Sequence, residues 1–428
     1  MNIYTEWGFT QPVFGTASLP PNEIGELLLV GRDTELTALT RRIFNPPKIV
    51  TIEGLNGVGK TSLVNVAAYK ASKRYDGNAP LYVPCTQNFQ LHPDKNASAF
   101  VDEVVMAVAQ TLISNVKTLP KFKGSDKLKA LDAWLNETHL RSYNAGIPVF
   151  SLGESAETNT SAGFERSGLK KMVFDCLQEI FPSMESGGVV CVIDNLELLE
   201  SSKKARAMLE ALRDEILTIQ GLRWVLCGAL GIVLGVASSP RLEGWLHTPI
   251  EVESFSDDLV KRVLSSRISA FSSGEGFYLP LLEGDFEDLY EILNRNLRSV
   301  LSKADDYCQW AADRPLPTTT SDKKRYFQEW LKEQSDRAYL AFKSKLRTRA
   351  IELFDIAVER GGVFAPSDYE EFGFNSVEAI RPHVKDLEEA GVLVSTQDDG
   401  DKRRKTIQVT PLGWLVHYSR SKDVATSN

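Results

Sequence analysis

The octapeptide Gly54-Leu55-Asn56-Gly57-Val58-Gly59-Lys60-Thr61 constrains this chain more than any other segment. It has the spacing G-x-x-x-x-G-K-[ST], and it stands in the setting that spacing requires. The apolar, β-branched strand Ile49–Glu53 leads into it. A helical pattern from Thr61 to Tyr75 follows and meets a stop at Gly77. A glycine loop between strand and helix lets backbone N–H groups turn inward around phosphate oxygens. The helix N-terminus adds partial positive charge at the same place. Gly54, Asn56, Gly57, Val58 and Gly59, with Lys60, Thr61 and Ser62 behind them, are therefore the expected phosphate-binding residues. Lys60 would reach the β and γ phosphates, and the Thr61 hydroxyl would bind Mg²⁺.

A metal held from one side needs a carboxylate on the other. Val189-Val190-Cys191-Val192-Ile193-Asp194 is an apolar strand ending in one. Asp194 would orient the hydration shell of Mg²⁺. Further candidate strands are Leu81–Cys85, Trp224–Cys227 and Ile250–Val252. Nearly continuous apolar strands fit a parallel sheet buried on both faces. Between them lie helical patterns, such as Phe100, Val104, Val108 and Leu112 at a spacing of four. The alternation predicts a three-layer α/β domain over residues 30–253. Within it, the Ser-, Thr- and Gly-rich stretch 151–167 reads as a loop or short hairpin.

Outside that core the pattern changes. Residues 1–29, with Pro12, Gly15 and Pro20-Pro21, read as an extended lead-in. Residues 254–312 read as wholly helical. Pro315–Ser321 is the clearest linker, and a helix rich in Lys and Arg follows it, so 313–344 form a connecting piece. A compact module spans 345–420, and 421–428 form a tail expected to fray.

Composition bounds the partners. The 428 residues hold 57 Asp and Glu against 49 Lys and Arg, so any nucleic-acid contact must be local. The five cysteines are far apart and form no CxxC, and the five histidines form no HxH or HxxxH. A disulfide scaffold and a zinc site are not expected. Met1–Trp7 has neither a basic start nor an apolar run, and the apolar stretch Trp224–Ala237 is too short to cross a bilayer. The expectation is a cytoplasmic protein with no membrane contact.

The order of these features resembles a known group. Leu29-Val30-Gly31-Arg32-Asp33-Thr34-Glu35-Leu36 resembles the VGR-x-x-E-L box of origin-initiation AAA+ ATPases and the related STAND signalling ATPases. Trp7–Phe14 is similar to the segment that often precedes that box. Ser254–Ile268 is similar to the start of their helical lid, and Asn294–Arg298 to their sensor-2 region. The resemblance covers roughly residues 7–312. It implies that Val30 and Gly31 contact adenine, that Arg32 helps seat the base, and that Arg298 lies over the γ-phosphate. In those ATPases a Glu usually follows the metal-binding Asp and polarises the attacking water. Here the residue is Asn195, which is no general base, with Glu197 two positions on. The catalytic set is then Lys60, Asp194, Glu197 and Arg298, and the expectation is tight ATP binding with slow hydrolysis. The chain also departs from the family at the fourth strand, where Leu226–Ala229 offers no polar sensor 1. Arg241 is the best-placed candidate for a trans-acting arginine.

Residues 345–420 fit a winged helix-turn-helix. A first helix carries Ile351, Leu353, Phe354 and Ala357. A short second helix spans Ser367–Phe372 with Ser367 as its cap. The third runs about Ser376–Ala390 with a kink or a later start at Pro382, and a two-stranded wing follows. The third helix offers Arg381, His383 and Lys385 to a major groove, and the wing tip offers Lys402, Arg403, Arg404 and Lys405 to phosphates. Against this, residues 345–428 hold 12 bases and 14 acids. The fold class expected is an α/β three-layer P-loop NTPase with a parallel sheet, an all-α lid and a C-terminal winged helix-turn-helix. The function expected is a nucleotide-controlled switch that binds double-stranded DNA and works with a protein partner or by self-association. The alternative is a signalling or defence ATPase whose winged helix mediates autoinhibition or protein contact.

Overall fold

The computed structural model describes residues 2–92, 95–116, 122, 124–136, 166–196, 202–229, 231, 233, 235, 240–274, 276–343, 346–398 and 404–427. The chain opens with three helices, α1 (Ile3–Glu6), α2 (Glu23–Leu28) and α3 (Asp33–Ile43). The Asn2 and Asn22 side chains cap the first two by accepting from the Tyr4 and Gly25 amides. Then come β1 (Val50–Gly54), α4 (Lys60–Lys73), β2 (Leu81–Pro84), β3 (Phe89–Gln90) and α5 (Ala97–Ser114). Next are α6 (Asp126–Asn136), α7 (Arg166–Ile180), β4 (Gly187–Asp194), α8 (Ser202–Leu212), β5 (Leu222–Gly228) and β6 (Ile250–Val252).

All these strands pair in parallel, in the order β2-β4-β5-β1-β6, with β3 alongside the far end of β4. The expected strands are all present, with ends shifted by one or two residues. Within this sheet, as described, β3 is two residues long and carries no sequence signal. Alternation along each strand sorts the side chains into two layers. Val189, Cys191 and Ile193 join Leu81, Val83, Trp224 and the helices α5 to α8. Val190 and Val192 join Ile52, Val225 and Cys227 under α3 and α4. A fully buried Val or Leu contributes roughly 2 kcal/mol, so both faces of β4 hold the Asp194 end in place. Helix α5 is long and apolar enough to cross a membrane by length and composition, but half of it is buried inside the protein. Its Phe100, Val104, Val108 and Leu112 stripe packs in the same layer as Cys191.

A helical unit follows: α9 (Asp257–Phe271), α10 (Glu283–Ile292) and α11 (Leu297–Ala312). Here the first 29 residues depart from the expected extended lead-in. Tyr4, Trp7, Phe9, Val13 and Phe14 are buried among Val260, Phe286, Leu289 and Tyr307. The Tyr4 hydroxyl donates to Asp305 at 2.6 Å, and the Thr10 amide to the Phe271 carbonyl at 2.7 Å. Spread along an irregular segment, these aromatics show no period, yet they complete the core of a unit 250 residues away.

The linker is also tied down, since the Tyr278 hydroxyl donates to the Pro317 carbonyl at 2.8 Å. It leads into α12 (Thr320–Lys343), α13 (Thr348–Glu359), β7 (Val363–Phe364), α14 (Val377–Glu389), β8 (Leu393–Asp398), β9 (Arg404–Val409) and α15 (Pro411–Ser427). Between β7 and α14 the chain makes a 3₁₀ turn, Pro366–Phe372. Its cap is not Ser367: the Asp368 carboxylate accepts from the Ala365 amide at 2.8 Å. Helix α14 runs unbroken through Pro382, with Ser376 as its cap and Ile380, Val384 and Leu387 buried. That packing outweighs the hydrogen bond the proline removes. Residues 421–427 of the expected tail continue α15, whose backbone is helical to Ser427. The 151–165 part of the expected loop or short hairpin lies outside the described residues, and Arg166 and Ser167 open α7.

Candidate nucleotide-binding site

The site begins where β1 ends. Gly57 and Gly59 adopt φ of +85° and +97°, a region where a side chain is strained. A Cβ on Gly57 would also lie 2.3 Å from Asn296 Oδ1, so the close approach of α11 needs glycine there. Among the described residues, the amides of Gly57, Val58 and Gly59 donate to no protein acceptor. They are a cradle of free donors at the start of α4. Lys60 is 6% exposed, and its ammonium donates to the Gly54 and Leu55 carbonyls at 2.9 and 3.1 Å.

The carboxylate predicted to complete the site is in reach. Thr61 Oγ1 donates to Asp194 Oδ2 at 2.5 Å, although the two are 133 positions apart in the chain. The other Asp194 oxygen accepts from the Asn195 amide at 2.9 Å. Asn195 takes φ +55°, a left-handed turn that brings it to the cavity wall. Two hard oxygen donors side by side beside a lysine suit Mg²⁺ better than a soft metal.

Above the loop lies a cavity of about 280 Å³. One wall is apolar and comes from Leu28, Leu29, Val30, Phe255, Val263, Leu297 and Leu301. Gly31 has φ +68° and packs on Leu259, which leaves room for no side chain. Arg32 is 5% exposed and is spent on protein partners. Its guanidinium donates to Glu35 at 2.9 Å, to the Val58 carbonyl at 3.2 Å and to the Glu253 carbonyl at 2.6 Å, and lies 4.0 Å over the Phe255 ring. It therefore clamps the loop to the end of β6. Ser62 Oγ accepts from the Leu19 amide at 3.0 Å, so it anchors the lead-in across the cavity mouth. Arg298 lines the cavity from the first turn of α11, is exposed, and makes no hydrogen bond or ion pair among the described residues.

Several contributors carry no motif. Asn296 caps α11 and donates to the Asn56 carbonyl at 2.9 Å, latching the helical unit to the loop. Its signal is that of any N-cap asparagine before a helix. Asn294 and Arg295 before it take φ +51° and +59°. Arg267, 7% exposed, donates to the Val13 and Gly15 carbonyls at 2.9 and 3.1 Å, and burial lowers its pKa to about 10. Thr16–Leu19, which this arginine positions, complete the wall.

The other predicted residues are elsewhere. Glu197 lies outside the described residues. Arg241 does not line the cavity and sits 4.0 Å from Glu210. Arg381 and Lys385 are exposed on α14, with Lys385 3.6 Å from Glu389. His383 turns inward against the Phe374 ring. Lys402 and Arg403 lie outside the described residues. Arg404 and Lys405 begin β9, opposite Asp398 and Gln397 of β8. A second cavity, of about 240 Å³, joins three regions. Leu55, Asn56 and Val58 of the loop face Leu293–Asn296 and the C-terminal residues Val363, Val394 and Trp414.

No protein-family model matches the chain, and no curated protein matches its sequence. Solved structures do. The ADP form of the Aeropyrum pernix ORC2 protein aligns over 97% of this chain and 99% of its own, at 12% identity and a TM-score of 0.50. The Walker-type ATPase PABY2304 of Pyrococcus abyssi covers 94% and 99%, at 15% and 0.47. The Aeropyrum pernix ORC1 protein in complex with DNA covers 94% and 98%, at 14% and 0.43. The fold is that of a P-loop ATPase. The parallel sheet, the loop between β1 and α4, and the helical unit over it agree with the ORC2 likeness, which at this identity speaks for fold alone.

Proposed function

We propose that this chain is an ATP-binding switch with slow hydrolysis, in which ATP and Mg²⁺ occupy the cavity between the α/β core and the helical lid. The observation that carries the reading is the Thr61–Asp194 contact at 2.5 Å beside Lys60 and a row of undonated loop amides. Those amides and Lys60 would hold the phosphates, and Thr61 and Asp194 would hold the metal. Mg²⁺ bound there would neutralise charge on the β and γ oxygens. The apolar wall of Leu28, Val30 and Leu301 would take the base, and the unpaired Arg298 would meet the phosphate tail. Asn195 stands where a base would be needed and has only an amide, which supports retention of ATP over rapid turnover.

The C-terminal module reads as a winged helix, and double-stranded DNA is its proposed partner. Arg381 and Lys385 lie exposed on α14, the helix that would enter the groove. The second cavity favours an additional reading. Val363 and Val394, 43% and 48% exposed, face the outer lip of the loop, which suits an autoinhibitory contact between the winged helix and the ATPase. Titration with duplex DNA, with and without ATP, separates the two. Binding that falls steeply with salt supports DNA recognition. No binding at low salt with ATP leaves the autoinhibitory or protein-contact role.

A further inference from the structure

A third cleft, of about 510 Å³, lies across the lead-in strap from the candidate nucleotide cavity. Ser18 borders both, and Pro20, Asn65, Tyr69 and Asn115 wall this cleft. Cys85 also lines it and is 9% exposed, while Cys191 behind it is fully buried.

The two cysteines are neighbours across the sheet. The Cys85 amide donates to the Val190 carbonyl at 3.0 Å, which extends the β2–β4 ladder by one residue. Val83 pairs with Val189 in that ladder, so Cys85 falls opposite Cys191. Alternation puts Leu81, Val83 and Cys85 on the face that carries Val189, Cys191 and Ile193, and all six share one apolar cluster. Adjacent strands run about 4.8 Å apart. That is inside the range of roughly 4.4–6.8 Å between Cα atoms that a disulfide spans.

The two thiols also differ chemically. A hydrogen bond from Cys191, aided by backbone amides of Gln87 and Thr86 and by the Thr111 hydroxyl 3.5 Å away, outweighs burial and lowers the Cys85 pKa to about 7. Burial pushes the Cys191 thiol well up. The pair thus joins a thiol of lowered pKa, on a residue that borders the cleft, to an enclosed thiol whose pKa is raised. Cys176, Cys227 and Cys308 are fully buried.

We propose that Cys85 and Cys191 are a hydroperoxide-reactive dithiol that closes into a cross-strand disulfide. The Cys85 thiolate attacks one oxygen of hydrogen peroxide. An S–O bond forms, the O–O bond breaks, and the departing hydroxide takes up a proton as water. The Cys191 sulfur then attacks the Cys85 sulfenic acid. An S–S bond forms, the S–O bond breaks, and the Cys191 proton leaves with the hydroxyl as a second water. Two thiols lose two electrons in all, and one peroxide gains them.

The test is to treat the folded full-length chain with equimolar hydrogen peroxide, alkylate it under denaturing conditions and map it without reduction. The expected product is two hydrogens lighter, has three alkylated cysteines, and gives one peptide pair joining Cys85 to Cys191 that dithiothreitol separates. Cys191→Ser should stop at the sulfenic acid, trapped by dimedone on Cys85, and Cys85→Ser should yield neither product. Five alkylated thiols in the wild-type chain, or a disulfide joining other cysteines, would overturn the proposal. The wild-type map stands whether or not the variants fold.

Discussion

The candidate nucleotide cavity and the face of α14 both gather charged side chains, but by different means. In the cavity, Lys60, Thr61 and Asp194 converge because β1, the loop and β4 leave their backbones no other course. Each is nearly enclosed. On the C-terminal module, Arg381 and Lys385 stand exposed on one helix, and Lys385 has Glu389 one turn away. Buried charges whose partners are fixed have strong, short-range effects. Exposed charges beside acids are screened and worth little each. The cavity should therefore behave as a unit that one substitution disables, and the module as a sum of small terms.

The largest effect expected is from Lys60→Ala. Removing a buried cation from a phosphate site should weaken ATP binding about 100-fold or more. Equilibrium titration with a fluorescent ATP analogue measures it, and DNA affinity measured without nucleotide should not change. A loss below threefold would remove the contrast between the two regions. Next comes the pair Arg381→Glu with Lys385→Glu. Duplex affinity should fall about tenfold, and the salt slope should drop by about two, with ATP binding intact. A hundredfold loss from one of these changes alone would mean that the module, too, acts as a unit.

Smaller effects probe the joints. Asn296→Ala removes the α11 cap and the latch to Asn56. It should cost about 1 kcal/mol and weaken ATP binding about fivefold, as calorimetry would show. The smallest is a pH effect in the lid. Asp285 is 3% exposed and accepts from the Leu282 amide at 3.2 Å. Burial, with Asp288 nearby, raises its pKa from 3.8 to about 6. The folded form takes up this proton first, so the contribution of Asp285 to stability falls as pH rises from about 4 to about 6 and then levels off. Asp285→Asn should melt above the parent at pH 7.5, with the difference shrinking as pH falls through that window. Thermal denaturation at four pH values checks the trend, and a constant difference would contradict it.

What the sequence discloses follows the same division. Gly54–Thr61 and Val189–Asp194 carry their meaning locally, because strand, loop and helix each need their own residue types. The sheet and the loop were legible for that reason. Tyr4, Trp7 and Phe14 were not, since the irregular segment bearing them is ordered only by the lid they enter. The Arg32 clamp was hidden in the same way. A motif marks the residue, but only the fold brings Val58 and Glu253 to its guanidinium. Arg267 and Asn296 look like ordinary helix residues until the lead-in and the loop are set against them.

The central claim is that Thr61 and Asp194 hold a metal that links the protein to its nucleotide. The most direct measurement is ATP affinity with Mg²⁺ and with excess chelator, in the wild-type chain and in Asp194→Asn. The account predicts that chelation weakens wild-type binding at least tenfold and changes the variant by less than threefold, because the metal link is already lost. Equal losses in both proteins would show that any metal acts away from Asp194 and would contradict the account.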